Sequence, residues 1–217
     1  MKVELIIPNS LAEISLKQYQ KFLKIQENNT DAYFLQCKMI EIFCNLDAKT
    51  VRLLKLSDAD KIVHILNNMF EKKPDLIRTF RLNNIEYGLI PDFDAMSLGE
   101  YIDLDTYIGD WENMLIPMNV LYRPIKDKIQ DKYIIKEYDV NSKEKLEEVS
   151  LDVVLGAIFF LYHLGIDLSK VMMDYLEHHR MDNSIHQQIF QENGVGMKDF
   201  SLDSLKEILQ DLKISLN

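Results

Sequence analysis

The sequence predicts an α+β fold that is mainly α-helical, with a small antiparallel β-sheet and a central buried helix. Three observations lead to this prediction. Apolar residues recur at helical spacing over several long segments, Asn83-Asn84 separates two apolar runs as a hairpin turn would, and residues 153–161 are almost entirely apolar. With 47 % hydrophobic residues, the 217-residue chain has enough apolar material for one large domain or two small ones.

Two segments of the chain share one pattern, in which an apolar run and a proline are followed by a capping box that begins a helix. The copies are Pro8 with Ser15-Leu16-Lys17-Gln18 and Pro91 with Ser97-Leu98-Gly99-Glu100. Proline ends a strand because it cannot donate to a sheet ladder, and the serine accepts a hydrogen bond from an amide of the first helical turn. We therefore expect a strand at residues 2–7 to pair with the hairpin, with both copies side by side in one layer.

The N-terminal part of the chain predicts three helices after this first strand. Their ranges are 16–26, 33–44 and 57–73, and turn-forming residues separate the first two. The second helix is apolar nearly all round, which is typical of burial. We therefore expect Cys37 and Cys44 to lie in the core, two helical turns apart and too distant for a disulfide bond.

The middle of the chain predicts the sheet and two further helices. Residues 77–90 form the hairpin, and an acidic amphipathic helix follows within residues 92–112. A second helix, at residues 114–121, is expected to end before Arg123-Pro124, because the position before a proline disfavours the helical conformation. Residues 132–138 indicate one more strand.

The C-terminal part predicts the buried helix and several shorter elements. We expect the buried helix to begin at the Ser150 cap and to end at Gly165, with Gly156 allowing a neighbouring helix to approach closely. A polar helix or loop at residues 142–148 precedes it. The remaining predicted helices cover residues 168–181, 184–191 and 202–212.

The sequence divides into two parts, residues 1–113 and residues 114–217. We expect the two parts to pack together as one compact unit.

The 35 acidic and 25 basic residues give a formal charge of −10, which disfavours binding to nucleic acid. The longest apolar run, residues 153–166, is shorter than the ~20 residues that a membrane span needs, and the N-terminal residues show no secretory signal. We therefore expect neither nucleic acid nor a membrane as a partner.

The best candidate metal site is a group of histidines near the C-terminus. His178-His179 is followed by Asp182 and His186, and several of these groups would share one face if a single helix continued through them. The spacing differs from the standard zinc patterns. The alternative is a set of solvated histidines at a helix end, where positive charge is favourable.

Asp92 and Asp94 form a second pair that could hold a metal ion in a hydrolase. The alternative is that both solvate a loop and favour the helix that follows. The glycines form no phosphate-binding pattern, and no serine lies in a nucleophile elbow. The cysteines have no cation on their own helical face that would activate them. We therefore expect no enzyme activity, no catalytic residue, no cofactor and no metal.

Aromatic and acidic residues in the acidic segment are candidates for partner binding, because aromatic side chains with a polar tip are enriched at interface hot spots. The alternative is that the rings are part of the core. The candidate residues are Tyr101, Asp103, Asp105, Tyr107, Asp110 and Trp111.

Three segments resemble parts of a known class of proteins. They are Ile7-Pro8-Asn9-Ser10, Ile14-Ser15-Leu16-Lys17-Gln18-Tyr19 and Met96-Ser97-Leu98-Gly99-Glu100-Tyr101-Ile102-Asp103-Leu104. In these segments the chain resembles small proteins from the virion morphogenesis modules of tailed bacteriophages, including marine and crAss-like gut phages. The resemblance implies a protein that is made in the host cytoplasm and then joins the particle at the portal, neck or tail, or chaperones tail assembly.

The functional expectation is therefore a non-catalytic virion structural or assembly protein that acts through protein–protein contacts. Its partners would be other phage structural proteins of the portal, capsid or tail, within an assembly that can be oligomeric, in the virion or the host cytoplasm. One alternative is a tail assembly chaperone that the virion does not retain. A second is an acidic adaptor that binds a host protein, and a third is a metal-dependent hydrolase that uses the aspartate pair or the histidine group.

Overall fold

The computed structural model describes residues 5–130, 132–139 and 146–178. Within this part of the chain, seven α-helices and two short 3-10 helices accompany one four-stranded antiparallel sheet. The predicted α+β class is therefore confirmed. The described residues form two compact units, of which the first contains residues 5–74 and 146–155 and the second contains the rest. Each of the two predicted ranges, 1–113 and 114–217, contains residues of both units.

The first unit is helical. Its elements are a 3-10 helix at Leu11–Glu13, α1 (Leu16–Gln26), α2 (Ala32–Phe43), α3 (Ala48–Arg52), α4 (Leu56–Phe70) and a second 3-10 helix at Leu146–Glu148. Its core contains a chain of aromatic rings in which Phe43 lies between Phe22 and Phe70, with ring centroids 5.3 and 5.2 Å away. Tilted ring pairs at such distances stabilise a core beyond the effect of area burial alone.

The first capping box forms as the sequence predicts. Ser15 Oγ accepts from the Gln18 amide at 3.3 Å, and Gln18 Oε1 accepts from the Ser15 amide at 2.9 Å. The Gln18 side chain also donates to the Ile42 carbonyl at 2.9 Å, which fixes the start of α1 against the end of α2. The same turn pairs with residues 149–151, because the Leu16 amide donates to the Val149 carbonyl.

The second unit contains the whole sheet. Its elements are β1 (Thr79–Leu82), β2 (Ile85–Leu89), α5 (Leu98–Tyr107), α6 (Leu115–Leu121), β3 (Tyr122–Ile129) and β4 (Lys132–Ile135). The strands lie in the order β1-β2-β3-β4, and every neighbouring pair is antiparallel. Asn83 and Asn84 make the β1-β2 turn at φ 50° and 64°, as the two central residues of a type I′ hairpin require. This part of the sequence prediction is confirmed.

The strand β3 is an element that the sequence analysis missed. Arg123-Pro124 was expected only to end α6, but β3 begins immediately after that helix and includes both residues. Proline is tolerated in sheets at bulges, and the β3-β4 register shifts between Ile125 and Asp127. The Pro124 carbonyl still accepts from the Lys136 amide at 2.9 Å, so the proline keeps its acceptor role beside β4.

The buried helix is α7 (Leu151–His178), whose first residues belong to the first unit and the remainder to the second. Phe160 was expected to be buried but is half-buried. The other apolar residues of the segment are buried as expected: Val153, Val154, Leu155, Ala157, Ile158, Phe159 and Leu161. A Cβ added at Gly156 would collide with the backbone carbonyl of Asp75. The predicted close approach is therefore present, but the neighbour is the segment before β1 and not a helix.

The predicted end of this helix at Gly165 is wrong. The helix continues through Gly165 to His178, so the separate helix predicted from residue 168 is part of α7. A single glycine costs a helix only about 1 kcal/mol, and no proline follows it to force an end. The helices predicted at 184–191 and 202–212 lie outside the described residues. No helix within the described part of the chain has both the length and the apolar character needed to cross a membrane.

The predicted N-terminal strand is also wrong over its described residues. Leu5, Ile6 and Ile7 form no strand, Ile6 is 78 % exposed, and the sheet of the second unit contains no N-terminal strand. A strand needs a partner edge for its amides and carbonyls, whereas a capping box needs only its own turn. The two copies consequently share their helix starts and not their strands, and their helices α1 and α5 belong to different units.

The expectation that α2 is buried all round holds only in part. Tyr33, Phe34 and Cys37 are exposed, whereas Ile40, Ile42 and Phe43 are buried. Cys44, which follows the helix, is buried as predicted. Cys37 is therefore not part of the core, contrary to the prediction. An apolar residue on the outer side of a helix stays in solvent when no other element covers it.

Candidate functional site

The predicted partner-binding residues lie on α5 and in the turn after it. All six are half-buried: Tyr101, Asp103, Asp105, Tyr107, Asp110 and Trp111. Asp103 accepts a hydrogen bond from the Tyr138 hydroxyl. Asp110 holds its own turn, since its carboxylate accepts from the backbone amides of Glu112 and Asn113 at 2.9 and 3.3 Å. The structure thus places this group in the second unit, where two of its carboxylates have structural roles.

Helix α5 begins with the second capping box, whose glutamate has an additional role. Glu100 Oε2 accepts from the Ser97 amide at 2.7 Å, and Glu100 Oε1 forms an ion pair with Arg123 Nη1 at 2.7 Å. The side chains of this pair are only 8 % and 11 % exposed. The sequence predicts the capping role of Glu100, but it carries no local signal for the ion pair, because Arg123 comes from the start of β3.

Tyr138 lies beside this pair and is held in its protonated form. Partial burial raises the pKa of its phenol well above the usual range, and the adjacent Asp103 carboxylate raises the pKa further. The hydroxyl therefore acts as a hydrogen-bond donor at physiological pH. Sequence reasoning missed Tyr138, since its position after β4 gave no indication that it would meet α5.

A cleft of about 290 Å³ lies next to these residues. Its lining residues come from α6, β3 and the segment after β4: Asn119, Arg123, Pro124, Lys126, Lys136, Glu137, Tyr138 and Asp139. Basic and acidic side chains are mixed in this lining. Among the described residues, Arg123 Nε and Asn119 Oδ1 are covered from solvent and have no hydrogen-bond partner. Both atoms are enclosed by the protein, so neither is exposed to the cleft.

Two apolar side chains on one side of α5 are exposed. Leu98 is 75 % exposed and Ile102 is 50 % exposed, and Thr106 continues the same line one turn further. These positions are four residues apart, so they lie above one another on the helix. We call Leu98, Ile102 and Thr106 the outer face of α5. The contact residues predicted from the sequence lie instead on the half-buried side of α5 and in the turn after it.

The described residues contain no group of three or more metal-ligating side chains placed to hold an ion. His178 is the last residue of α7, while His179, Asp182 and His186 lie outside the described residues. Asp92 Oδ1 accepts from the Asp94 amide at 3.0 Å. Such a hydrogen bond is typical of a turn, and it agrees with the alternative in which both aspartates belong to a solvated loop.

The cysteines occupy two different environments. Burial raises the pKa of the Cys44 thiol to about 11, so this thiol stays protonated at neutral pH and is a poor nucleophile. Cys37 is exposed on α2. Comparison of the chain with protein-family models, with curated proteins and with solved structures finds no match.

Proposed function

We propose that this chain is a non-catalytic virion structural or assembly protein of a tailed bacteriophage, acting through protein–protein contacts at the portal, neck or tail. The observation that carries the proposal is the exposure of Leu98 and Ile102 on the outer face of α5. The resemblance of residues 96–104 to phage morphogenesis proteins covers this same helix. The proposed location is the virion, or the host cytoplasm during assembly.

The outer face of α5 has the pattern of a helix that docks into a groove. Apolar anchors at positions i and i+4 are typical of this recognition mode. Full burial of a leucine or isoleucine side chain is worth roughly 1.5–3 kcal/mol before the costs of association. Two such anchors provide a contact of moderate strength, which suits a subunit held in place by several neighbours.

Charge indicates the chemistry of the partner surface. Helix α5 contains acidic residues and no lysine or arginine, and the whole chain has a formal charge of −10. Complementary potentials steer association and exclude wrong partners. The proposed partner is therefore a portal, capsid or tail component that presents an apolar groove with a basic rim.

Particle analysis tests this proposal. Purified particles of the phage that encodes the chain are studied by negative-stain imaging and mass spectrometry, and we expect the chain in particles or in assembly intermediates. The double variant Leu98→Asp with Ile102→Asp should be lost from them. The control is Leu53→Asp with Leu56→Asp, which changes two exposed leucines of the first unit and should leave incorporation unchanged.

Other outcomes of these experiments would support one of the alternative functions. A chain found in assembly intermediates and absent from finished virions is a tail assembly chaperone. Recovery of host proteins without phage structural proteins in a pull-down would indicate an adaptor that binds a host protein. Absence from both virions and intermediates would overturn the proposal, as would equal loss of the α5 variant and the control.

A further inference from the structure

One face of the hairpin formed by β3 and β4 presents two exposed isoleucines, Ile129 at 70 % and Ile134 at 62 % exposure. In an antiparallel pair, opposite residues share a face, and so do alternate residues of one strand. Ile129 lies opposite Lys132 in the register. Asp127, two residues before Ile129, lies opposite Ile134. All four side chains therefore share one face, and we call Asp127, Ile129, Lys132 and Ile134 the hairpin face.

The other face of the same hairpin is anchored to β2. The Tyr133 hydroxyl donates to the Leu89 carbonyl at 2.8 Å. Lys128, which lies opposite Tyr133, donates to the Glu86 carboxylate at 2.9 Å. These contacts hold the hairpin in position, while all four residues of the hairpin face are exposed.

The hairpin face has a pattern that is complementary to itself. Each of its two cross-strand pairs joins one isoleucine to one charged residue, so the isoleucines occupy one diagonal and the charges occupy the other. Such diagonal neighbours are about 7–8 Å apart, within reach of long side chains, so the isoleucines can form one apolar strip. Within the part of the chain that the structure describes, no ion pair joins Asp127 or Lys132 to another side chain. Asp127 accepts only from the adjacent Lys128 amide.

We infer that the hairpin face binds the same face of a second copy of this chain. A two-fold axis along the isoleucine diagonal places each isoleucine against its own equivalent. The same rotation exchanges the ends of the charged diagonal, so Asp127 of each copy meets Lys132 of the other. An isologous contact of this kind needs a surface that is complementary to itself, and opposite charges that meet in pairs select the partner and the register.

The contact is small, so the dimer is transient. Four side chains from each copy bury less than the roughly 1,200 Å² in total below which interfaces are typically weak. The formal charge of −10 on each copy adds repulsion at long range. Physiological salt screens this repulsion beyond about 8 Å, whereas charges in direct contact still attract. The inference is independent of the proposed virion role, since it rests on β3 and β4 and not on α5.

Nuclear magnetic resonance on the full chain tests the inference. Translational diffusion is measured up to about 1 mM protein in roughly 0.15 M salt, and the methyl signals of Ile129 and Ile134 report the contact. We expect slower diffusion and shifts of both methyl signals as the concentration rises. Asp127→Lys and Lys132→Asp each replace two attractive pairs with two repulsive pairs. Each should weaken the dimer roughly tenfold or more.

A mixture of these two variants makes the test specific. When unlabelled Lys132→Asp is added to isotope-labelled Asp127→Lys, opposite charges meet again at both positions, so the dimer should return. Its return also shows that both variants remain folded. The controls are Asp58→Lys and Lys61→Asp on α4, which make the same changes in net charge at an exposed pair and should leave the dimer unchanged.

Several results would overturn the inference. One is diffusion of the unmodified chain that does not change with concentration, which would leave the hairpin face to a different partner or to solvent. Another is a mixture of the two variants that stays monomeric. A dimer that responds to Lys132→Asp and not to Asp127→Lys would indicate pairing along the β4 edge instead, and equal loss in the α4 controls would indicate an effect of net charge alone.

Discussion

Glu100 and Arg123 join the first turn of α5 to the start of β3 through a buried ion pair of 2.7 Å. The same glutamate accepts from the Ser97 amide, so one carboxylate both caps the helix and neutralises the arginine. Arg123 in turn lies opposite Gly88 in the β2-β3 ladder. The helix cap is thereby coupled to the interior of the sheet.

Loss of one member of this pair should destabilise the fold strongly. Glu100→Ala leaves a buried guanidinium uncompensated, which is expected to cost about 3–5 kcal/mol in the free energy of unfolding. Urea denaturation measures this cost. The control is Glu86→Ala, which breaks the more solvent-accessible pairs with Lys128 and Arg81 and should have a much smaller effect. Equal losses in the two variants would show that the buried pair has no special role.

The phenol of Tyr138 should contribute to an alkaline loss of stability. Burial first, and then the Asp103 carboxylate, raise its pKa in the folded state, so the folded protein keeps a proton that the unfolded chain releases. The contribution is fully present below the unfolded pKa of about 10 and is lost as pH rises toward the higher folded value.

Urea denaturation over a series of alkaline pH values should therefore show a steeper fall for the unmodified chain than for Tyr138→Phe. Some fall remains in the variant, because burial also raises the pKa of Tyr133. Tyr33→Phe, at an exposed position of α2, is the control and should behave like the unmodified chain. If Tyr138→Phe leaves the pH dependence of the free energy of unfolding unchanged, Tyr138 is not a source of the alkaline loss of stability.

Two glycines of α7 should respond in opposite directions to the same substitution. Gly156→Ala brings a methyl group against the Asp75 carbonyl, and such overpacking costs typically 1–3 kcal/mol. Gly165→Ala should gain up to about 1 kcal/mol from helix propensity, because outside the adjacent helix backbone no atom of the described residues lies within 4 Å of the added methyl group. Thermal unfolding of both variants measures the difference. Stabilisation by Gly156→Ala would mean that the segment before β1 moves away easily.

Truncation of neighbouring phenylalanines on α7 should distinguish core from periphery. Phe159 is buried, and Phe159→Ala should cost on the order of 3–5 kcal/mol. Phe160 is half-buried and contacts Phe93 with ring centroids 6.0 Å apart, so Phe160→Ala should cost less. Denaturant melts give both values. Unchanged stability of Phe159→Ala together with lost partner binding would identify this part of α7 as an interface.

The elements that the sequence predicted well depend on signals within a few residues. Both capping boxes form because a serine and the residue three positions later satisfy each other's backbone amides within one turn. The hairpin forms at Asn83-Asn84 because asparagine tolerates positive φ. Burial of residues 153–159 follows from a helix surface with almost no polar side.

Tertiary structure decided the features that need a distant partner. The apolar residues at positions 5–7 form no strand, because a strand needs a partner edge and none of the described strands pairs with them. The strand β3 forms despite Pro124, because β2 pairs with its first residues and β4 with its later residues. Glu100 and Arg123 are far apart in the chain, and only the packing of α5 against the start of β3 brings the two charges together. Local patterns determine where a helix begins, whereas burial and pairing between distant segments determine which side chains form a site.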